Sequence, residues 1–235
     1  MKKLLGMTSI LLTTGSVVFA TPFTPVYNTF GTLSGATFGG TGNPNNAVAI
    51  TTISSGSDTI TLGLQAQQRY ANPSLANNGA GTFYATPGAN YGNPANPSDK
   101  TYSTLLGATW NFDLYVGLND VSGSSYTFVL LYGKDGSPLV SVPAGSANFT
   151  VISQNSENLD FASFGTAIGF DPNANGQYDF ELEAFNAAGS LLGQSAIDVD
   201  VAPVPDAASS AWLLGLGFFS LAVFGFRQNR LAMAR

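Results

Sequence analysis

The sequence predicts an all-β fold, a two-sheet antiparallel β-sandwich, and three observations carry that expectation. Between residues 46 and 203, short runs rich in Val, Ile, Thr, Tyr and Phe recur at intervals of about 8 to 12 residues, bounded by Gly, Asn, Asp or Pro. Several runs alternate strictly between apolar and polar residues, the period of a strand with one buried and one wet face. No stretch of this region places apolar residues at a useful helical spacing. A jelly-roll or immunoglobulin-like sandwich satisfies all three.

Residues 21–45 carry Pro22, Pro25 and Pro44 among Gly, Thr and Asn, and read as a poorly ordered lead or a first edge strand near residues 26–33. Residues 46–53 (NAVAITTI) and 58–64 (DTITLGL), joined by Ser54-Ser55-Gly56-Ser57, form the first hairpin. Residues 65–101 are broken repeatedly by Gly and Pro and read as a long loop. Tyr70, Tyr84 and Tyr91 stand there beside amides, a composition suited to stacking on the faces of exopolysaccharide sugars. The plainer reading makes residues 82–85 one more strand with its rings in the core.

From Thr109 onward, Trp110, Phe112, Leu114 and Val116 alternate with Asn111, Asp113 and Tyr115, one buried face against one wet face. The run 126–132 (YTFVLLY) is almost continuously apolar and predicts burial on both faces; Lys134-Asp135-Gly136 then turns the chain. Residues 139–142 and 148–152 read as further short strands. Residues 177–185 place Tyr178, Phe180, Leu182 and Ala184 inward and Asp179, Glu181 and Glu183 outward. Residues 194–201 repeat the pattern with Ile197, Val199 and Val201 inward and Asp198 and Asp200 outward, pairing through the turn 186–189.

The termini have a different character. Lys2 and Lys3 precede a mostly apolar stretch from Leu4 to Val17, and Val18-Phe19-Ala20 fits a small-residue cleavage site, so residues 1–20 read as a signal peptide cut after Ala20. Residues 207–226 are uncharged and followed by Arg227, Arg230 and Arg235. As a helix rising about 1.5 Å per residue, such a run crosses the roughly 30 Å hydrocarbon core of a bilayer. Basic residues at both ends keep both ends cytoplasmic and put residues 21–203 across the membrane. The domain assignment is therefore signal peptide 1–20, lead 21–45, sandwich 46–203 and tail 204–235.

Val204, Pro205 and Asp206, the apolar run with its glycines and the terminal arginines together resemble the sorting signals of the PEP-CTERM and VPDSG-CTERM families. Asp206 suits the VPDSG form, whereas Ala207 and Ala208 stand in place of its Ser-Gly. The resemblance implies Val204, Pro205 and Asp206 as the recognition motif and the arginines as a retention signal. It also implies an exosortase, a multi-pass membrane transpeptidase, as the partner that removes the tail, and a product in the bacterial envelope, cell surface or extracellular matrix. The order of a Trp-bearing strand, an Asp-Pro-Asn turn and a final Ile-x-Val-x-Val strand is likewise similar to domains that precede such tails, and implies fold and location without an activity.

Composition narrows the chemistry. Residues 21–203 hold three basic residues (Arg69, Lys100, Lys134) against thirteen acidic ones, a formal charge of −10 that repels nucleic acid. With no Cys and no His there is no disulfide, no His-bearing triad and no ordinary zinc site, so any metal must be held by oxygen. Asp171, Asn173, Asn175 and Asp179 have the 1-3-5-9 spacing of a calcium loop, with Gly176 at the turn; position 12, however, is Leu182 rather than glutamate. A turn opening a strand explains the same residues. Glu181 and Glu183 lie about 7 Å apart on one strand face, but alternation alone produces that pair. No catalytic motif occurs, and the sequence predicts a non-enzymatic structural or adhesive protein without a resident cofactor, calcium being the single candidate ion.

Overall fold

The structure, a computed structural model, describes residues 23–70, 73–89, 107–142, 152–161 and 164–203. The expected all-β architecture of two sheets is present. Sheet I has the order β1-β2-β3-β6-β9, made of Thr29–Gly31, Val48–Ser55, Asp58–Gln68, Trp110–Asn119 and Ile152–Glu157. Sheet II has the order β4-β5-β11-β10-β7-β8, made of Ala76–Asn77, Thr82–Ala85, Leu191–Val201, Gly176–Asn186, Tyr126–Lys134 and Val140–Ser141. A four-residue helix α1, Gly165–Ile168, lies between β9 and β10. The sheets are not wholly antiparallel: β5 pairs with β11 in parallel, Asp198 opposite Thr82 and Val201 opposite Ala85.

The inward sides of β3, β6, β10 and β11 make the core, where Trp110, Phe112, Phe180, Leu182 and Ile197 are all 2% exposed or less. Phe112 stacks on Phe180 with ring centroids 4.4 Å apart, and Trp110 meets Phe180 edge-on at 6.2 Å, so the aromatic rings clamp one sheet on the other. At the open side Ser195 Oγ donates to the Ala49 carbonyl at 2.8 Å, a direct bond between the sheets.

The lead is more than an edge strand. Val26 exchanges backbone hydrogen bonds with Ala196 of sheet II. Three residues later Thr29–Gly31 pairs antiparallel with β2 of sheet I, so this segment laces the two sheets together. Residues 32–45 then fold back over the outer face of sheet I, where Leu33, Ala36 and Phe38 form a second small core with Val48, flanked by Ile50 and Tyr115. Gln154 Oε1 accepts from the amides of both Thr37 and Phe38 at 2.8 Å. Phe38 takes φ 43°, a left-handed conformation that ordinarily costs a non-glycine residue about 1–2 kcal/mol, and its fully buried ring offsets that cost. Gly63 lies beneath: a Cβ there would come within 2.8 Å of Leu33 Cδ2.

This second layer overturns a simple inside–outside reading. Asp113, expected on a wet face, is 0% exposed, as is Gln65, while Gln67 is 2% exposed. For the same reason β3 continues to Gln68, where a loop is expected from Gln65 onward. Asp179, placed with its neighbours on the wet face of β10, is 1% exposed. Strand β7 is buried on one face only, with Leu130 and Tyr132 inward and Val129 and Leu131 half-buried. Strand β9 begins at Ile152, where the expected strand ends, and continues through polar residues to Glu157.

Candidate functional site

Three carboxyl-bearing places stand out, and each is built by strand register. The first is a ladder of amides and acids on the outer face of sheet I. Register sets Gln65 opposite Asp113 and Gln67 opposite Asn111, and then Asp113 opposite Ser156. Gln65 Nε2 donates to Asp113 Oδ2 at 2.7 Å and to the Pro44 carbonyl at 2.5 Å; Gln67 Nε2 donates to Asp113 Oδ1 at 3.1 Å and to Ser156 Oγ at 3.0 Å. Asn158 closes the ladder, its Nδ2 reaching the Trp110 carbonyl at 2.7 Å and Asn111 Oδ1 at 2.8 Å. Burial pushes the Asp113 carboxyl up to about 7, against the pull of the bonds from Ser156, Gln65 and Gln67. The Oε1 atoms of Gln65 and Gln67 are buried without a partner, so a protonated Asp113 adds a donor to a cluster short of donors.

The second place is the acidic outer face of sheet II. Asp179 and Asp198 are direct cross-strand partners, Gln177 faces Asp200, and Asp198 neighbours Thr82 of β5. Burial, then the nearby Asp198, Asp135 and Asp200, pushes Asp179 up to about 7, and burial likewise raises Asp198 and Asp200. One oxygen of each of Asp179 and Asp198 is buried with no hydrogen-bond partner. Glu181 and Glu183 are both raised by burial, and each is the other's hydrogen-bond partner, which suits one shared proton. Among the described residues no trio of acidic side chains is gathered as a metal-holding group.

The third place is a corner. Asp58, at the start of β3, accepts from the amides of Val121 and Ser122 at 2.8 Å each, from the Ser122 hydroxyl and from Tyr126 Oη at 2.7 Å. The Ser122 and Tyr126 hydroxyls, with the two amides, hold its carboxyl far below the usual carboxylate range despite burial. This carboxylate ties the β2–β3 turn to the β6–β7 connection.

The residues singled out from sequence are dispersed. Asp171 accepts from Asn173 N at 2.9 Å in a local turn and sits on the side of Tyr178, whose hydroxyl is pushed up to about 12 by burial and by Asp135 and Asp171. Asp179 is buried on the face of β10 opposite Tyr178, whereas Asp171, Asn173 and Asn175 are exposed. Tyr70 follows β3 of sheet I with the Arg69 guanidinium 4.7 Å from its ring centroid, while Tyr84, 46% exposed, projects from the outer face of sheet II beside Asp200. Tyr91 lies outside the described residues, as do Ala20, Val204, Pro205, Asp206, Arg227, Arg230 and Arg235. Among the described residues no helix is long and apolar enough to cross a membrane. Sequence reasoning missed Asp58 and Asp113; the alternation that put Asp113 on a wet face is the signal that misled.

No protein-family model matches the chain, and no curated protein and no solved structure matches it either.

Proposed function

We propose that this chain is a non-enzymatic exported protein, sorted through residues 204–235 to the bacterial envelope or matrix, where the sandwich serves as a structural or adhesive component. The single observation that carries the reading is where the chain enters and leaves the fold. Val26 pairs antiparallel with Ala196, and Pro25 packs by Gly81, whose carbonyl accepts from Asp198 N. Pro25 therefore lies near Asp198, three residues or roughly 10 Å along β11 from its end at Val201. That arrangement suits a precursor with an apolar segment at each end, both in one membrane and the folded domain on one side of it. The Val204-Pro205-Asp206 motif then begins three residues after the last strand, on a link stiffened by Pro203.

The test is intact mass, measured on membrane, wall and medium fractions of a bacterium carrying an exosortase and of the same strain lacking it. The expected product in the first strain lacks residues 1–20 and everything beyond about Asp206, and leaves the membrane fraction. A product that keeps Arg235 and stays in the membrane in both strains would reduce the tail to a plain anchor and end the sorting proposal.

A further inference from the structure

The outer face of sheet I changes character along its strands. The buried amide ladder occupies one end, the Leu33, Ala36 and Phe38 layer the middle, and a polar surface the other end. There Thr59 is opposite Asn119, Thr61 opposite Gly117, and Tyr115 opposite Gly63. These rows bound a groove of about 340 Å³ lined by Thr59, Thr61, Tyr115, Gly117, Leu118 and Asn119. That size lies at the lower end of the range for small-ligand clefts, roughly 300–1,000 Å³.

Gly117 makes the groove. The Tyr115 ring lies along its own strand across position 117, and a Cβ there would come 2.9 Å from both Cε1 and Oη. A larger residue would lift the ring and fill the space. The base of Tyr115 is packed against the small core of Leu33, Ala36, Phe38 and Val48, so the ring is held in place before anything binds, which removes an ordering cost. No hydrogen bond from another described residue occupies the hydroxyls of Thr59, Thr61 and Tyr115 or the side-chain amide of Asn119.

We propose that this groove binds a neutral hexopyranose oligosaccharide, one sugar ring stacking on Tyr115 while Thr59, Thr61 and Asn119 bond its hydroxyls. An aromatic ring beside groups that both donate and accept matches a ligand with an apolar C–H face edged by hydroxyls. A wholly apolar ligand would cover the threonine hydroxyls and the amide without pairing them, at a cost. An acidic sugar would find no cation in the lining and a chain of net charge −6 around it. The site is distinct from Tyr70, Tyr84 and Tyr91, and it concerns the ligand of the sandwich rather than the delivery of the chain, so sorting and sugar binding can fail separately.

The experiment titrates the purified full chain with cellohexaose, mannohexaose and polygalacturonate, reading the amide resonances of Tyr115 and Gly117 together with binding heat. The expected result is that at least one neutral hexaose shifts both resonances, that Tyr115→Ala weakens its binding by about tenfold or more, and that Tyr115→Phe retains most of it. Because Tyr115 also packs on the lead, Thr61→Val serves as a second variant: it keeps side-chain shape and strand propensity, and should weaken binding several-fold with an unchanged melting temperature. The proposal is overturned if neither hexaose shifts these resonances at about 10 mM, if binding ignores both Tyr115→Ala and Thr61→Val, or if polygalacturonate is preferred.

Discussion

Asp58 and Asp113 are both almost completely buried, at 1% and 0% exposure, yet their surroundings set opposite charges. The Asp58 corner supplies two backbone amides and two hydroxyls, enough to replace the water a carboxylate loses. The amide ladder of sheet I offers Asp113 only side chains, which have other partners to satisfy: Gln65 also bonds Pro44, and Gln67 also bonds Ser156. Desolvation therefore prevails at Asp113 and loses at Asp58. Burial alone does not decide whether an aspartate is charged; the number of committed donors does.

Titration tests the contrast most strongly. The folded-state value of Asp113 is raised, so its stabilisation is complete below the unfolded value near 3.8 and is lost as pH rises through about 7, with Asp179 acting in the same direction. The urea midpoint should fall between pH 4.5 and 8, the Asp113 share reaching up to about 4 kcal/mol, and Asp113→Asn should remove that share while leaving the slope from Asp179. A wild-type midpoint as high at pH 8 as at pH 4.5 would show that Asp113 ionises without penalty and erase the contrast.

Asp58 carries the opposite sign. Its depressed value means that its contribution is present above the unfolded value near 3.8 and disappears as pH falls further. Asp58→Ala should lower the melting temperature at pH 6 by on the order of 10 °C, with a smaller loss below pH 3, where the unfolded chain already holds this carboxyl protonated. Equal losses at both pH values would mean that shape, not charge, is what the corner needs.

The smallest effect comes from an uncharged relative of that corner. Asn186 Oδ1 accepts from Ala188 N at 3.0 Å and Ser190 N at 2.9 Å in the β10–β11 turn, as Asp58 does with two amides. Asn186→Ala should cost about 1 kcal/mol at every pH, measured by urea unfolding, since a neutral acceptor has nothing to titrate. A pH-dependent cost would implicate the carboxyls of sheet II instead.

Where a strand has one face in a core, its residues announce it: Trp110 to Val116, Tyr178 to Ala184 and Ile197 to Val201 alternate, and their inward members are buried. Alternation states which side a residue takes, not what lies on that side. Asp113 looked wet because no local pattern says that residues 32–45, some seventy positions earlier, fold over it. Gln65 to Gln68 and Ser153 to Glu157 looked unlike strands because they carry polar side chains whose partners, such as Asp113 and Ser156 for Gln67, lie on other strands, a polarity indistinguishable from a loop until the register is known. The groove at Tyr115 was hidden likewise, since it depends on Thr59 and Asn119 becoming neighbours across sixty residues. The parallel pairing of β5 with β11 joins segments more than a hundred residues apart and leaves no trace in either.

That pairing has a consequence for the order of events when the chain is made. Among the described residues β11 is the last strand to leave the ribosome, and it lies between β5 and β10 with the lead bonded to it at Ala196. Until it arrives, β4 and β5 have no place beside β10 and the seam between the two sheets stays open. Assembly of this seam must therefore wait until the chain has been made as far as Val201, with the slow, millisecond-to-second closure typical of such distant pairings. A truncation that stops before residue 191 would remove the strand on which half the fold converges.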